Sequence, residues 1–319
     1  VSSGITDPVT ARIGLIGAGG LLGSSLVMAA QGAGLDLCSA ARAEVDARDR
    51  GSVEAWLRSQ RPSALIISAA LNGGIQANLS EPADFLEDNA AIALACLGAA
   101  RRIGIRNVLY CASAALYPLS AAQPLREGDL FSGPSDPGHL GFAAAKMLGV
   151  RYCQAVRQQD DLACTALLLT NIYGPGQRWE EPRSNVVAGL LKRLHQAKHE
   201  RLPAVTVWGT GHARRDLVYA SDAAEAILAL ATRQDLLERL PDGLINIGSG
   251  EDVSIWELAR LCSGTVGYEG RLDFDPKKPE GAARRVLDVS RLQELGWRAR
   301  TPLPEGLKAT YASLSPVIG

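Results

Sequence analysis

Gly17, Gly20 and Gly23 follow the apolar run Ile13-Gly-Leu-Ile16 with the spacing GxxGxxG. Glycine permits a tight turn and lets backbone N–H groups approach an anion at the positive end of a helix. Leu21–Ala33 supplies that helix, so strand, glycine turn and helix open a βαβ unit. Tight turns without ligands also use glycine, but this context predicts a dinucleotide pyrophosphate held by Gly17, Gly20, Leu21, Leu22 and Gly23. Units that hold a free ribose 2′-hydroxyl place a carboxylate about 20 residues further on. Here that strand end reads Ser39-Ala-Ala-Arg42, with no carboxylate. Arg42 is placed to meet a 2′-phosphate, which favours NADPH over NADH; the other reading of Arg42 is an exposed, solubilising arginine. The six cysteines are scattered, with no CxxC pair and no histidine at metal spacing, so no metal site is expected and the thiols read as reduced and mostly buried.

The elements that would position these residues alternate. Leu35–Cys38 reads as a strand, Ser52–Gln60 as a helix capped by Asp49, and Ala64–Ser68 as a strand. The Ala-rich helix Phe85–Ile103, the strand Val108–Ala112, the helix Ala143–Gln159 and the strand Ala163–Leu169 follow. This alternation predicts an α/β protein with a Rossmann-type, doubly wound parallel sheet. After residue 174 the regularity breaks. A loop is expected over 174–183, helices over Val186–His199, Asp222–Ala231 and Ser254–Leu261, and strands over Val205–Trp208 and Leu244–Ile247. Residues 274–297 mix charge and turns. The expected division is a dinucleotide-binding domain over 11–173 plus about 217–247, with a smaller interleaved lobe over about 174–216 and 248–319 for the substrate.

The length of 319 residues fits one large or two modest domains, against ~150 for a typical one. The 33 Lys+Arg against 34 Asp+Glu leave a formal charge of −1, which gives no bulk attraction to nucleic acid or an anionic membrane. No apolar run approaches the ~18 residues of a membrane span. The opening residues carry no signal-peptide pattern and read as a short tail; with the thiols read as reduced, the cytoplasm is the expected default compartment.

Seven further segments carry a resemblance: Ala69-Ala70-Leu-Asn-Gly-Gly74, Pro82-Ala-Asp-Phe85, Leu116-Tyr-Pro118, Thr170-Asn-Ile-Tyr-Gly-Pro175, Val207-Trp-Gly-Thr-Gly211, Asn246-Ile-Gly-Ser-Gly250 and Leu287-Asp-Val-Ser-Arg-Leu292. In order and spacing the chain resembles the GDP-L-fucose synthase family, epimerase/reductases of GDP-4-keto-6-deoxymannose among the extended short-chain dehydrogenases. The resemblance runs from Gly17 to about Trp297. It implies a nucleotide sugar between two lobes, contacted by Asn171, Arg193, Trp208, Arg215 and Lys278, and a cofactor contacted also by Ala69, Ala70 and Lys146. Guanidinium and ammonium groups suit a diphosphate, and an aromatic face suits a base or sugar. The bland alternatives are a solvated helix face for Arg193, a surface pair for Arg214-Arg215 and a core position for Trp208. The resemblance also implies a homodimer through the Phe85–Ile103 and Ala143–Gln159 helices.

The chain departs from that family at the reacting groups. Short-chain dehydrogenases pair a Ser or Thr with Tyr and Lys in a YxxxK spacing that puts both on one helix face. Ser113 and Lys146 match, but Phe142 stands at the Tyr position. The epimerase pair of Cys and His is replaced by Ala115 and Asn185, neither of which abstracts a proton from carbon at neutral pH. Substitute proton donors are His139, which also reads as a surface-loop residue, and Lys146 with a pKa lowered by burial. Tyr117 reads as shaping the substrate loop and Cys111 as core. Three readings follow: a ketoreductase without epimerisation, a redirected enzyme with no net redox change, and a non-catalytic protein that binds NADP(H) or a nucleotide sugar.

Overall fold

A computed structural model describes residues 12–177, 179, 184–278 and 280–318. The expected N-terminal tail, and positions 178 and 180–183 of the expected loop, lie outside the described residues. The first half comprises β1 (Ile13–Ile16), α1 (Leu21–Gly32), β2 (Leu37–Ala40), α2 (Arg50–Gln60), β3 (Ala64–Ile67), α3 (Ile75–Ser80), α4 (Pro82–Ile103), β4 (Asn107–Cys111), α5 (Leu140–Asp160) and β5 (Ala163–Leu169). Next come β6 (Asn171–Tyr173), α6 (Val186–His199), β7 (Ala204–Trp208), β8 (Arg214–Tyr219), α7 (Ala220–Ala231), α8 (Gln234–Glu238) and β9 (Leu244–Ile247). The chain closes with β10 (Asp252–Ser254), α9 (Ile255–Val266), β11 (Arg271–Asp275), β12 (Arg284–Arg285), α10 (Ser290–Glu294) and α11 (Leu303–Ile318).

Six strands form an all-parallel sheet in the order β2-β1-β3-β4-β5-β9. Both faces are covered, which is why these strands are mostly apolar rather than alternating. Leu65 and Ile67 of β3 pack with Val53, Leu57, Cys96 and Val150 from α2, α4 and α5. Ile66 faces the other way, with Leu26 of α1 and Ile227 of α7. The fold is thus α/β and Rossmann-type, with a smaller mixed sheet alongside. There β8 is the hub, pairing antiparallel with β10 and parallel with β12 and β6. A separate apolar core joins α6, α9 and α11 through Leu190, Leu194, Leu258, Cys262 and Leu307. None of the helices is long and apolar enough to cross a membrane among the described residues.

The strand expected over Leu35–Cys38 starts two residues later. The Leu35 N–H is spent on the Ala30 carbonyl at the end of α1, so pairing with β1 begins at Leu37 opposite Ile13. α3 and α11 were not expected. The first is a six-residue helix too short for a periodic signal, and the second has Pro316 inside it. The topology reverses at β1, whose neighbours are β2 and β3, and ligands of doubly wound sheets bind at the carboxyl ends of the strands at such a reversal.

Asn246 on β9 ties this edge to the later segments. Its Nδ2 donates to the Leu125 and Asp288 carbonyls, both at 2.9 Å, and its Oδ1 accepts from the Tyr117 hydroxyl at 2.7 Å. The side chain is wholly buried, so Asn246→Ala strands the Tyr117 hydroxyl and the Asp288 carbonyl, while the Leu125 carbonyl keeps the Asp288 N–H. Urea unfolding is expected to show a loss of about 3 kcal/mol. A loss under about 1 kcal/mol would mean that water takes over the network.

Candidate active site

The glycine turn lies against the end of β3. Gly17 has φ +106°, and a Cβ there would sit 2.4 Å from the Ala69 nitrogen. A Cβ on Gly23 would come within 2.0 Å of the Gly17 carbonyl oxygen. Only glycine lets α1 begin this close to the strand. In front of the turn the space is open, since a Cβ on Gly20 would meet nothing nearer than 3.8 Å. No side chain caps α1 and no acidic residue stands in its first turn, so its N–H groups present positive potential to the cleft. These features fit a dinucleotide pyrophosphate. Gly20, Leu21, Leu22, Gly23 and Ala70 line the cleft, while Gly17 and Ala69 form the close contact behind it. Arg42 is exposed beyond the β2 end and is outside the lining.

The cleft, of about 500 Å³, continues past the end of β4 to the smaller sheet. Ser113 caps a short 3-10 turn, its Oγ accepting from the Ala115 N–H at 3.1 Å. Lys146 is fully buried, donates to the Cys111 carbonyl at 2.8 Å and lies 4.7 Å from the Tyr110 ring centroid. Burial lowers its pKa from 10.5 to about 8, which the neighbouring Cys111 and Cys96 thiols offset only in part. Burial likewise pushes the Cys111 thiol up to about 12, so it stays protonated. The Phe142 ring lines the cleft but packs edge-on to Phe85 at 6.4 Å, beside Ala77 and Leu71.

Asn185 also lines the cleft, yet its amide is engaged in the fold. Its Oδ1 caps α6 by accepting from the Ala188 N–H at 3.0 Å, and its Nδ2 donates to the Ile172 carbonyl and to Gln177 Oε1. Asn171, Arg193, Trp208 and Arg215 line the opposite wall. The Arg193 guanidinium and the Lys278 ammonium lie 5.7 and 5.9 Å from the Trp208 ring centroid, so Lys278 reaches the same aromatic although it is not itself in the lining. The buried Arg215 guanidinium donates to the carbonyls of Arg214, Ala282 and Glu280 at 2.8, 2.6 and 2.8 Å, and has no carboxylate within ion-pair distance among the described residues. Burial, with Arg285 nearby, lowers its pKa from 12.5 to about 10.

Arg285 and Asp136 did not stand out in the sequence. The Arg285 guanidinium lies 3.4 Å from the Asp136 carboxylate, and both line the cleft. An Arg284-Arg285 doublet reads as surface charge, and its inner member is recognisable only once β12 pairs with β8. His139 lines the cleft too, 3.6 Å from Asp136. Among the described residues no group of His, Cys, Asp or Glu is arranged to hold a metal ion.

Comparison with known proteins now bears on this geometry. Residues 13–248 match the NAD dependent epimerase/dehydratase family. The chain belongs to that family. It is similar to the GDP-L-fucose synthase of Sinorhizobium fredii, 35% identical over 302 residues that cover 95% of each chain. Among solved structures, a GDP-6-OMe-4-keto-L-xylo-heptose reductase from C. jejuni superposes with a TM-score of 0.89 at 27% identity, covering 96% of this chain and 98% of that one. A GDP-mannoheptose C4 reductase from Campylobacter jejuni with NADP bound gives 0.84 at 27% identity, covering 96% and 98%.

The buried ammonium carries a pH signature. Below about pH 8 Lys146 is protonated in both folded and unfolded chains, and the full cost of desolvation weighs on the native state. Between about 8 and 10.5 the native state releases the proton while the unfolded one keeps it, so this cost fades as pH rises. The shift corresponds to about 3 kcal/mol, less what the bond to the Cys111 carbonyl returns. Lys146→Met is therefore expected to gain stability over the wild type at pH 7 and to lose that advantage near pH 10.5. Parallel denaturant titrations at both pH values check it, and an advantage that grows with pH would refute it.

Proposed function

We propose that this chain is an NADPH-dependent reductase of a GDP-linked 4-keto-6-deoxy sugar that leaves the carbons flanking the ketone uninverted. The observation that carries this reading is the fate of the two epimerase positions. Ala115 has no titratable group, and Asn185 has its amide committed to Ile172, Gln177 and Ala188. Nothing at either place removes a proton from carbon, whereas Ser113 and Lys146 still line the cleft. Two structurally similar proteins are named as reductases of GDP-linked sugars, which supports the same class of substrate.

In this reading the six-stranded lobe, with residues 11–173 and about 217–247, takes the dinucleotide, and the lobe of 174–216 and 248–319 takes the nucleotide sugar. The α1 N-terminus holds the pyrophosphate and Arg42 the 2′-phosphate. Lys146 holds the nicotinamide ribose and places positive charge beside the oxygen that becomes negative. The bound dinucleotide supplies a hydride. Ser113 donates a hydrogen bond to the ketone oxygen and fixes its direction. Arg193, Arg215 and Lys278 hold the diphosphate, with Trp208 against a flat face of the ligand and Asn171 at its edge. The reading includes a homodimer: Leu86 and Leu94 on α4 and Leu140 and Leu148 on α5 form an exposed apolar stripe on two helices that pack together.

Incubation with NADPH and GDP-4-keto-6-deoxymannose in D2O tests the reaction. NADPH oxidation and a product with no deuterium at C3 or C5, against an enzyme-free control, are expected. Enzyme-dependent deuterium at either carbon would restore epimerisation, and unchanged cofactor and sugar would remove the reductase. Arg42→Ala is expected to weaken NADPH binding by about tenfold while leaving NADH unchanged, as one lost charge-assisted contact implies. Fluorescence titration with both cofactors reads this directly, and equal effects on the two would place Arg42 away from the phosphate.

A further inference from the structure

The reductase reading leaves one atom without a source, the proton that turns the carbinol oxygen into a hydroxyl. Phe142 carries none. The Tyr117 hydroxyl is buried and spent on Asn246 Oδ1. The Cys111 thiol is wholly buried in the strand core. The Lys146 ammonium spends one N–H on the Cys111 carbonyl and, in the reductase reading, is engaged by the nicotinamide ribose.

Resting on that reading, we infer that the His139 imidazolium is the proton donor of the reduction, with Asp136 as its positioning residue. His139 stands one helical turn before Phe142 and lines the cleft with Ser113 and Lys146. Its Nδ1 is buried and faces Asp136 Oδ2 at 3.6 Å. Its Nε2 makes no hydrogen bond among the described residues, and the residue lines the cleft. Asp136 is itself fixed from two sides. Its Oδ1 accepts from the Gly138 N–H at 2.9 Å, and its Oδ2 lies 3.4 Å from the Arg285 guanidinium. The carboxylate thus faces one ring nitrogen from a fixed position, as a positioning residue should.

The charged groups around His139 are few. Asp136 is on its own turn, Arg285 of β12 and Arg215 of β8 bear on Asp136, Glu280 lies beside Arg215, and Lys146 comes from α5. α3, packed against this turn, contributes no titratable side chain. The His139 ring, the Gly138 N–H and Arg285 hold the Asp136 carboxyl well below the usual carboxylate range, so it stays ionised wherever the imidazole titrates.

The step balances. The carbonyl carbon accepts the hydride of the reduced dinucleotide and the C=O π pair moves to oxygen. The oxygen bonds to the Nε2 proton as the N–H bond breaks. The products are a secondary alcohol, oxidised dinucleotide and neutral imidazole, which solvent reprotonates.

Steady-state kinetics with NADPH and GDP-4-keto-6-deoxymannose, together with NMR titration of the histidines, test this. His139→Gln is expected to lower kcat by about 10²-fold, the span of a lost general acid, with NADPH affinity unchanged. Adding Phe142→Tyr to it is expected to recover roughly tenfold or more of that loss by supplying another acid. In the wild type, kcat falls as pH rises through the imidazole pKa, because the acid form reacts. Asp136→Asn keeps an acceptor for the Gly138 N–H but removes the carboxylate that faces Nδ1, and is expected to lower kcat with KM for the sugar unchanged. Without cofactor or substrate, the ring resonances of His139, one of four histidines, assigned by their loss in His139→Gln, are expected to change position in Asp136→Asn. If the wild type transfers hydride and His139→Gln keeps more than roughly a third of kcat, the donor is overturned and the reductase stands. If the wild type binds NADPH but transfers no hydride, both fall. If kcat and the His139 ring resonances are the same in the wild type and Asp136→Asn, the role of Asp136 falls.

Discussion

Two consecutive side chains on β8, Arg215 and Asp216, hold the smaller lobe in the shape the cleft requires. The Arg215 guanidinium binds the Glu280 and Ala282 carbonyls, drawing in the segment that leads to β12. The wholly buried Asp216 carboxylate accepts from the Ser249 N–H and hydroxyl at 3.0 and 2.7 Å and from the Leu287 N–H at 3.3 Å. Burial raises the Asp216 pKa and these donors counter it, so the interactions are those of a charge that needs each partner. Two charges at consecutive positions of one strand, Asp216 wholly buried and Arg215 partly so, each satisfied mainly by backbone, fix where Glu280 and Arg285 stand. Through Arg285 they also fix Asp136.

The groups that differ from the resembled family are not vacancies in the wall. Phe142 fills an apolar cluster with Ala77 and Phe85, where a phenol would need a partner for its hydroxyl. Asn185 satisfies an orphan N–H at the start of α6, a task at which asparagine excels and histidine does not. Ala115 closes a tight 3-10 turn through its N–H to Ser113. Phe142 and Asn185 thus do structural work at their positions, whereas the Ala115 N–H makes a bond that any residue but proline would make there. At Phe142 and Asn185 the wall of the cleft is set by packing and by capping.

What the residues disclosed in advance followed from locality. The glycine turn, the Asp49 cap of α2, the Ser254 cap of α9 and the span of α6 all rest on residues within a few positions of one another. β6, β8 and β12 escaped notice because they are short and make sense only as partners of one another. Arg285 and Asp136 are far apart in sequence and meet only through that small sheet. His139 was visible as a residue but not as a member of a pair, since its surroundings of proline and glycine read as open loop. The ammonium of Lys146 was expected at the cleft; that it would bond to the Cys111 carbonyl depends on how closely α5 packs on β4.

The overall charge of −1 and the cleft tell different stories, and the difference is informative. Among the described residues, Lys146, Arg193, Arg215, Arg285 and His139 line the same space as two carboxylates, Asp136 and Glu280. Asp136 is held by Arg285 and Gly138, and Glu280 by the Thr210 N–H and hydroxyl and the Ala213 N–H. Burial lowers the affinity of Arg215 and Arg285 for their protons, a cost that a bound dianion reverses. Attraction for an anionic ligand therefore acts inside the cleft, where the dielectric is low and salt screens weakly, and not across the surface. A protein built this way selects its ligand by fit to fixed charges after entry, which is what discrimination among nucleotide sugars of equal charge demands.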